Sequence, residues 1–318
     1  MTRLRIGTRG SPLALWQAEH VAQVIAQHDG PKTELVTIRT SGDQPSEIRI
    51  SEAGGKRVFV KEIEDAVIEG RVDLAVHSAK DLPAERLPGL TISAALPRED
   101  PRDAVVSQRI DLDKKNSTLH EILSPDSYCP RVGTGSIRRA AQLRHAFPDL
   151  DVRPIRGNVG TRLRKLDEGA FDLLILATAG LVRLHLAERI LLRIPVSLCV
   201  PAPGQGIVVG EFRTEDLATS QLLCRIADRN TNAALQAERA LVTALGADCQ
   251  LPIGAIATPS GDDLYLCGIV ATPDGTRLIR HEARGPLSNA AELGTTVANG
   301  LLADGAQTVL DFVTQSNQ

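Results

Sequence analysis

Residues 131–147, RVGTGSIRRAAQLRHAF, decide the fold of this chain. The stretch begins as a short strand, turns at Gly133 and Gly135, and continues as a helix that Ser136 is predicted to cap. A strand, a glycine turn and a helix in this order are typical of sheets that bind ligands at the carboxyl ends of their strands. Backbone N–H groups at the start of such a helix favour an anion.

The segments on both sides repeat this alternation. Strand patterns cover residues 4–9, 34–40, 73–78 and 171–180. Helical patterns begin at Ser11, followed by a well-placed Pro12, and at residues 59, 136 and 159. Alternating strands and helices predict a mostly parallel sheet with helices on both faces.

After about Thr219 the pattern changes. A helical stretch at 231–246 is followed by two strand patterns, 264–272 and 277–285, which flank TPDG like a hairpin. A last helical pattern covers 289–306. This part of the chain is therefore predicted to be a small α/β domain with an antiparallel sheet.

The length of 318 residues exceeds what one hydrophobic core serves, so two or three domains are expected. Two breaks rich in proline, glycine or charge suggest crossings between domains: LPREDPRDAVV at 96–106 and PVSLCVPAPGQG at 195–206. No apolar stretch approaches the length of a membrane span, and MTRLRIGTRG lacks the apolar region of a signal peptide. The five cysteines are widely spread without a CxxC pair, which argues against a disulfide framework or a zinc site and for the cytoplasm.

The charge of the chain is unevenly distributed. The net charge is −3, but residues 131–165 hold nine cations against two acids, a local charge of +7. Such asymmetry suggests a site for a polyanion. An RNA-binding protein is a poor explanation, because Phe147 is the only aromatic residue in this segment and the overall charge is negative.

Two pairs of arginines are candidates for anion binding. Arg138 and Arg139 fall in the first turn of the predicted helix, where the helix dipole disfavours cations unless a carboxylate or phosphate arrives. Arg156 and Arg162 flank a Gly-Asn turn at another helix start, and arginine suits bidentate carboxylate recognition. The alternative is a set of solvated surface arginines. A dinucleotide fingerprint fits less well, since Arg138 occupies its third glycine position.

The stretch HSAKDLP follows a predicted strand, where ligands sit. Lys80 and Asp81 are adjacent, so they can point in different directions and hold different roles. The alternative is a surface ion pair before Pro83. His77 is interpreted as structural.

Cys249 lies in a loop, GADCQLPIG, after a predicted helix. The flanking Gly246, Pro252 and Gly254 indicate a shaped, exposed loop in which a thiol can act as a nucleophile. The other four cysteines are predicted to be buried as small apolar residues: Cys129, Cys199, Cys224 and Cys267.

Four stretches in this order, RGSPLALWQ, HSAKDLP, GTGSIRRAAQLR and GADCQLPIG, make the chain resemble the porphobilinogen deaminase family. The resemblance runs over nearly all residues and implies a transferase. Members of the family condense four porphobilinogen molecules stepwise, releasing ammonia, into the linear tetrapyrrole hydroxymethylbilane. They do so on a dipyrromethane cofactor held by a thioether to one cysteine.

The resemblance also implies roles for individual residues. Cys249 matches the cysteine of the cofactor, and Asp81 matches the catalytic aspartate. The flexible lid of the active site matches SEAGGKRVFV, with Lys56. The residues that match carboxylate-binding positions are Arg9, Ser11, Lys80, Thr134, Ser136, Arg138, Arg139, Arg156, Arg162 and Arg183.

The partners implied by the resemblance are few. The substrate is the small molecule porphobilinogen, and neither nucleic acid nor a membrane is involved. No metal, nucleotide or flavin is required. The resemblance implies a cytoplasmic monomer.

The sequence departs from the family pattern at two places. The lid of the family usually reads GGKG, whereas Arg57 stands at its last glycine position here. The cysteine loop usually reads GGCQ, whereas Ala247 and Asp248 precede Cys249. A nearby carboxylate is expected to raise the pKa of the thiol and to slow attachment of the cofactor.

The implied fold is α/β with three domains. Two similar doubly wound domains resemble periplasmic solute-binding proteins, and a smaller C-terminal α/β domain with an antiparallel sheet carries the cysteine. The expected bounds are 1–98 with 205–222, then 102–200, then 226–318. The alternative function is a non-catalytic polycarboxylate-binding protein of solute-binder architecture, which explains the arginines and the crossings but not the Cys249 loop or the third domain.

Overall fold

The fold contains three separate β-sheets with helices packed on them. The computed structural model describes residues 3–41, 60–85, 87–108, 118–124, 128–246 and 251–316. Within these ranges, no helix combines the length and the apolar character needed to cross a membrane.

The strands and helices alternate along most of the chain. The strands are β1 (Arg3–Thr8), β2 (Lys32–Thr37), β3 (Leu74–Ser78), β4 (Leu90–Ala94), β5 (Asp103–Ser107), β6 (Val132–Gly133), β7 (Val152–Arg153), β8 (Leu173–Ala177), β9 (Ile190–Arg193), β10 (Val208–Arg213), β11 (Ile253–Ser260), β12 (Asp263–Ala271) and β13 (Leu278–Pro286). The helices are α1 (Pro12–Gln27), α2 (Lys61–Ile68), α3 (Leu119–Leu123), α4 (Ile137–Ala146), α5 (Val159–Asp167), α6 (Thr178–Arg183), α7 (Leu217–Ile226), α8 (Arg229–Ala244), α9 (Ala290–Ala303) and α10 (Ala306–Ser316).

The first and second sheets share one strand arrangement. The first sheet has the order β2-β1-β3-β10-β4 and the second β7-β6-β8-β5-β9. In each sheet the first three strands are parallel, and the fourth runs antiparallel to both of its neighbours. The two sheets are therefore repeats of one plan.

The fourth strand of each sheet follows a connection between the sheets. Residues 95–102, here called the first crossing, lead from β4 of the first sheet to β5 of the second. Residues 194–207, the second crossing, lead from β9 back to β10 of the first sheet. Each crossing ends in the fourth strand of the other sheet, so the two crossings lie side by side between the sheets. They are joined by a hydrogen bond from the Glu99 N–H to Gly206 O at 3.1 Å.

The third sheet is antiparallel, with the order β11-β12-β13. Its largest apolar cluster packs against α8, α9 and α10. A second cluster joins Ile269 of β12 to Ala141 of α4 and to Val200 of the second crossing. The third sheet is thus fixed against both the second sheet and a crossing.

The predicted fold class is confirmed by these sheets. The chain is an α/β protein with two similar doubly wound units and a smaller C-terminal α/β unit whose sheet is antiparallel. The predicted caps are also present, since the side chains of Ser11 and Ser136 accept hydrogen bonds from the N–H groups of Ala14 and Arg139. The domain bounds stay a prediction.

Some predicted elements have different limits. The strand predicted for 171–180 ends at Ala177, because the Thr178 N–H donates to Arg102 O of the first crossing and α6 begins there. The helix predicted for 289–306 is two helices, separated at Gly305, whose φ of 95° no helix allows. The charged break at 96–106 also contains the buried strand β5.

Candidate active site

Two sequence-predicted groups lie at one edge of the first sheet. Arg9 and Ser11 follow β1, and Lys80 and Asp81 belong to a single 3₁₀ turn that begins directly after β3. The strands β1 and β3 are parallel neighbours, so their carboxyl ends meet at the same edge. The sheet therefore places all four residues at this edge, where Lys80 Nζ donates to Gln205 Oε1 of the second crossing at 3.4 Å.

The second sheet supplies most of the arginines. The strand β6 leads through Thr134 and Ser136 into α4, which carries Arg138 and Arg139 in its first turn. A Cβ atom at Gly135 would lie 2.7 Å from the carbonyl oxygen of Ile155, in the loop before α5, and 3.5 Å from Nη2 of Arg162. Glycine is needed at this position because the entry to α4 and the Arg162 side chain approach each other so closely.

Both arginines of α4 are buried on one carboxylate, Asp103, at the start of β5. Arg138 Nη2 donates to Asp103 Oδ2 at 2.8 Å, and Arg139 Nε donates to Asp103 Oδ1 at 2.9 Å. Asp103 has no exposed surface, and each arginine is 5% exposed. Burial alone would raise the pKa of the Asp103 carboxyl, but the two guanidiniums outweigh it and hold the pKa far below its usual range. Asp103 is therefore ionised.

Lys80 lies at the positive side of this cluster. Burial lowers the pKa of its amine from 10.5 to about 8, and the charges of Arg139 and Arg138 add to this effect, while Asp81 and Asp103 oppose it. With a pKa of about 8, the amine is mostly protonated at neutral pH and loses its proton at mildly alkaline pH. A carboxylate ligand beside it would favour the charged form.

Arg162 and Arg183 are held by backbone carbonyls. Arg162 Nε donates to Gly157 O at 2.7 Å, and Arg183 Nη2 donates to Gly206 O of the second crossing at 2.7 Å. Burial lowers the pKa of each guanidinium to about 10; Arg139 lowers the Arg162 value further, whereas Asp81 opposes that shift. Both arginines remain protonated at neutral pH and carry charge in a poorly solvated place.

The cluster as a whole has more positive than negative charge. Four cations, Lys80, Arg138, Arg139 and Arg162, interact with the two carboxylates of Asp81 and Asp103. The excess of two positive charges, in a setting where burial weakens solvation, favours a ligand with several carboxylates.

The predicted hydroxyl ligands serve as caps. Ser11 and Ser136 accept hydrogen bonds at the starts of α1 and α4, and Thr134 Oγ1 accepts from the Ser136 N–H at 3.2 Å. A hydroxyl that accepts can still donate its own proton to a carboxylate. These contacts hold the hydroxyls at the edges of the two sheets.

Other predicted residues lie elsewhere. Arg156 is exposed in the loop after β7, where its carbonyl oxygen accepts a hydrogen bond from Lys165 Nζ at 3.5 Å. Cys249 and Lys56, together with the departures Arg57, Ala247 and Asp248, lie outside the described residues.

The charge of +7 counted for residues 131–165 is partly neutralised in the folded chain by acids from other segments. Arg131 pairs with Asp172 at 2.8 Å and Arg164 with Glu168 at 2.8 Å, and both acids lie outside the segment. Asp103, the partner of two further arginines, also lies outside it. Part of the positive charge counted along the segment is therefore neutralised in the fold by acids from outside it.

Two polar residues of the site were missed in the sequence. Asp103 is the first residue of β5, and Gln205 of the second crossing accepts hydrogen bonds from Lys80 Nζ and Arg139 Nη2, both at 3.4 Å. The signal for Asp103 was an acid directly before the apolar run AVV, within a stretch interpreted only as a break. Gln205 gave no signal beyond its place between two glycines.

The expectations for His77 and the cysteines are partly met. His77 Nε2 lies 3.1 Å from Glu211 Oε2 of β10, and both side chains are buried, which agrees with a structural role. Cys199 and Cys267 are buried, as predicted, but the prediction is wrong for Cys129 and Cys224, which are exposed.

The fold and the described residues define a class: an α/β protein with two similar doubly wound units, a cluster of cations at the crossings between their sheets, and a third α/β unit. Two family models match the chain: "Porphobilinogen deaminase, dipyromethane cofactor binding domain" at residues 4–221 and "Porphobilinogen deaminase, C-terminal domain" at residues 233–303. Porphobilinogen deaminases from two strains of Acidithiobacillus ferrooxidans are each 47% identical over 311 residues, covering 98% of both chains. The chain belongs to the porphobilinogen deaminase family, so the predicted enzyme, a transferase of tetrapyrrole biosynthesis, is confirmed over the non-catalytic binder.

Solved structures of similar shape are more distant. The effector-binding domain of a BenM variant is 14% identical with a TM-score of 0.41, over 71% of this chain and 94% of that chain. An amino acid transporter substrate-binding protein from Streptococcus pneumoniae is 17% identical with a TM-score of 0.40, over 71% of this chain and 86% of that chain.

The buried ion cluster predicts a large effect of Asp103→Asn on stability. The substitution leaves two buried guanidiniums without their counter-ion, and such a loss costs about 3–5 kcal/mol of the free energy of unfolding. Urea unfolding measures the cost. The control is Asp172→Asn, which breaks the half-exposed pair with Arg131 and is expected to cost about 1 kcal/mol or less. Equal costs would contradict the central place given to Asp103.

The pKa of about 8 for Lys80 predicts that substrate affinity falls at alkaline pH. Above that pH the amine is neutral and loses its attraction for a carboxylate, so KM for porphobilinogen rises. The folded state binds this proton more weakly than the unfolded state, so the contribution of Lys80 to stability increases as pH rises from about 8 toward 10.5. Lys80→Arg keeps its charge and is expected to lack the rise in KM. A rise of the same size in both proteins would refute the assignment to Lys80.

Proposed function

We propose that this chain condenses four porphobilinogen molecules stepwise into hydroxymethylbilane, with the reaction at the crossings between its first two units. The observation that carries the proposal is the cluster of Lys80, Asp81, Arg139 and Arg162, which unites groups from both sheets and has excess positive charge. Porphobilinogen carries an acetate and a propionate, so a growing chain accumulates the anionic groups that such a cluster binds.

The residues present fit a dipyrromethane cofactor. Such a group also carries acetate and propionate side chains, and the donor set around Lys80 consists of cations and hydroxyls. The Nε atom of Arg138 is buried and has no hydrogen-bond partner within the described part of the chain, so it is a donor still to be satisfied. When bound, the cofactor supplies the pyrrole carbon to which the first substrate unit is joined.

Arg138 and Arg139 have a double task in this proposal. Each is fixed on Asp103 and on a backbone carbonyl, since Arg138 Nη1 donates to Val200 O at 2.6 Å and Arg139 Nη1 donates to Ile175 O at 3.1 Å. The N–H groups that these bonds leave over are proposed to donate to ligand carboxylates. Arg9, Arg156, Arg162 and Arg183 add charge around them. Ser11, Thr134 and Ser136 donate their hydroxyl protons to the same carboxylates.

Asp81 is the proposed catalytic residue. Loss of ammonia leaves a positively charged azafulvene derived from the substrate, and a fixed carboxylate stabilises such a cation while accepting a pyrrole N–H bond. The turn after β3 holds Asp81 beside Lys80 and within electrostatic reach of Arg162. In this proposal the carboxylate is already in place when the positive charge of the substrate develops.

Cys249 is the proposed attachment point of the cofactor, through a thioether. Its loop connects α8 with β11, and Arg239 of α8 donates to the carbonyl oxygens of Pro83 and Ala84, both at 2.9 Å. These carbonyls lie two and three residues after Asp81. The helix before the cysteine loop is therefore anchored next to the proposed catalytic turn.

Lys56 is proposed to belong to a lid over the site. We further propose that the protein acts as a cytoplasmic monomer without metal, nucleotide, flavin, nucleic-acid or membrane partners. The family resemblance supports these points, and light scattering of the purified protein tests the monomer.

The role of Cys249 predicts a specific loss. Cys249→Ser is expected to give a folded protein without the added mass of two linked pyrroles and nearly without activity, because the thioether cannot form. Intact mass and peptide mapping of the purified protein measure this. The control is Cys224→Ser, at an exposed cysteine, which is expected to keep both cofactor and activity. Modification mapped to another cysteine would exclude the assignment.

The role of Asp81 predicts an ordering of rates. Asp81→Asn removes the charge and is expected to lose about 10²–10³ in single-turnover ammonia release, as for other preorganised electrostatic partners. Asp81→Glu keeps the charge one methylene away and is expected to fall between Asn and wild type. If Asp81 were only a structural partner of Lys80, both variants would lose melting temperature in parallel with activity, and Lys80→Met would behave like them. An Asn variant with the wild-type rate would end the catalytic assignment.

A further inference from the structure

The side-chain amide of Gln205 uses all of its hydrogen-bonding positions. Its Oε1 accepts from Lys80 Nζ and from Arg139 Nη2, both at 3.4 Å. Its Nε2 donates to Pro101 O at 2.6 Å and to Asp103 Oδ1 at 2.8 Å. The residue is 1% exposed. The amide therefore lies between two cations on one side and two acceptor oxygens on the other.

These partners belong to different parts of the fold. Lys80 follows a strand of the first sheet, Arg139 starts a helix of the second unit, and Pro101 is in the first crossing. Gln205 itself is in the second crossing. One side chain thus joins both units and both crossings at the proposed active site.

The orientation of the amide is fixed by charge. If it were turned over, its NH₂ group would face two cations and its oxygen would face a carbonyl and a carboxylate. The backbone on both sides of the residue is closely packed, at Gly204 (φ 76°) and Gly206 (φ 85°). A Cβ atom at Gly204 would lie 2.8 Å from the Cβ of Ala79, and one at Gly206 would lie 2.3 Å from Glu99 O. Gln205 therefore cannot shift without moving the turn that carries Lys80.

We propose that Gln205 is a positioning residue that holds the Lys80 ammonium and the Arg139 guanidinium at a fixed separation for carboxylate binding. The two cations repel each other, and the shared amide oxygen is a neutral acceptor that offsets this repulsion. Gln205 acts through these cations and is not itself a catalytic residue. The inference rests on the proposed function and adds a residue that sets how strongly, and over which pH range, the site binds its substrate.

The test uses the cofactor-loaded enzyme and three substitutions at one position. Gln205→Leu removes the acceptor, so KM for porphobilinogen is expected to rise about tenfold or more, with a smaller change in kcat. The unrelieved repulsion also lowers the pKa of Lys80, so the alkaline limb of kcat/KM moves to lower pH by about one pH unit. Gln205→Glu places a negative charge beside the ammonium and moves the limb to higher pH. Gln205→Asn withdraws the amide by one methylene and is expected to follow Leu with a smaller shift.

The matched control is Gln142→Leu. Gln142 is also buried, at 2% exposure, but its amide bonds to the backbone of Val200 and not to Lys80 or Arg139. This variant is expected to lose melting temperature and to keep the wild-type alkaline limb. If Gln205→Leu does not fold, the opposite shifts of Asn and Glu still decide the question.

Two results would overturn the inference. One is an alkaline limb at the wild-type pH in the Gln205 variants that fold. The other is a shift of the same direction for Asn and Glu, which would mean a general loss of structure. A wild-type enzyme that releases no ammonia from porphobilinogen would instead refute the proposed function. In that case the direction of the Lys80 shift is still measured, by NMR titration of its side-chain nitrogen in the same variants.

Discussion

The carboxylate of Asp103 is the group on which the organisation of the site depends. It is fully buried, a state that costs several kcal/mol for an ion unless its partners compensate. Two guanidiniums, the Gln205 amide and the weak Sγ donor of Cys199 at 3.4 Å surround it. Because these donors come from α4 and from the second crossing, satisfying one buried charge brings a helix start, a strand start and a crossing to the same point. The Ile194 N–H adds to this by donating to Asp103 O at 2.8 Å.

The cations that compensate the Asp103 carboxylate outnumber it, so the cluster around it has a positive net charge. One carboxylate cannot neutralise Arg138 and Arg139 together, and Lys80 and Arg162 add further charge in a poorly solvated setting. The lowered pKa values of Lys80 and Arg162 have burial as their main cause and neighbouring cations as a second. A ligand with several carboxylates would counter both causes. Its oxygens would solvate the buried cations in place of water, and its negative charge would offset the repulsion between them. In the proposed function, part of the free energy of carboxylate binding therefore comes from the poor solvation and mutual repulsion of these cations.

The sequence predicted the fold class and several residues that the structure brings together in the cation cluster, and the reasons for its failures are physical. Strand and helix periods predicted the alternating units and the hairpin of β12 and β13, because these segments have one clear apolar face. Gly133, Gly135 and Ser136 predicted the turn and the cap, because local backbone geometry alone requires such residues. Asp103 could not be predicted, since its role exists only when residues 35 and 36 positions later fold back on it. The charge of +7 was misleading for the same reason, because Asp103, Glu168 and Asp172 lie outside the segment they neutralise.

The same frame that holds the cations also holds both ends of the cysteine loop. The helix before the loop, α8, is joined to the segment after Asp81 through Arg239. Its buried Glu238 accepts hydrogen bonds from both crossings. The donors are Arg98 Nη1 of the first crossing, at 2.6 Å, and the Gly204 N–H of the second crossing, also at 2.6 Å. After the loop, the Ala255 N–H donates to Pro201 O of the second crossing at 2.9 Å. The described residues on both sides of the cysteine loop and the cations of the cluster are thus bonded to the same two crossings, so in the proposed reaction the crossings connect the part of the chain that carries the cofactor with the part that binds carboxylates.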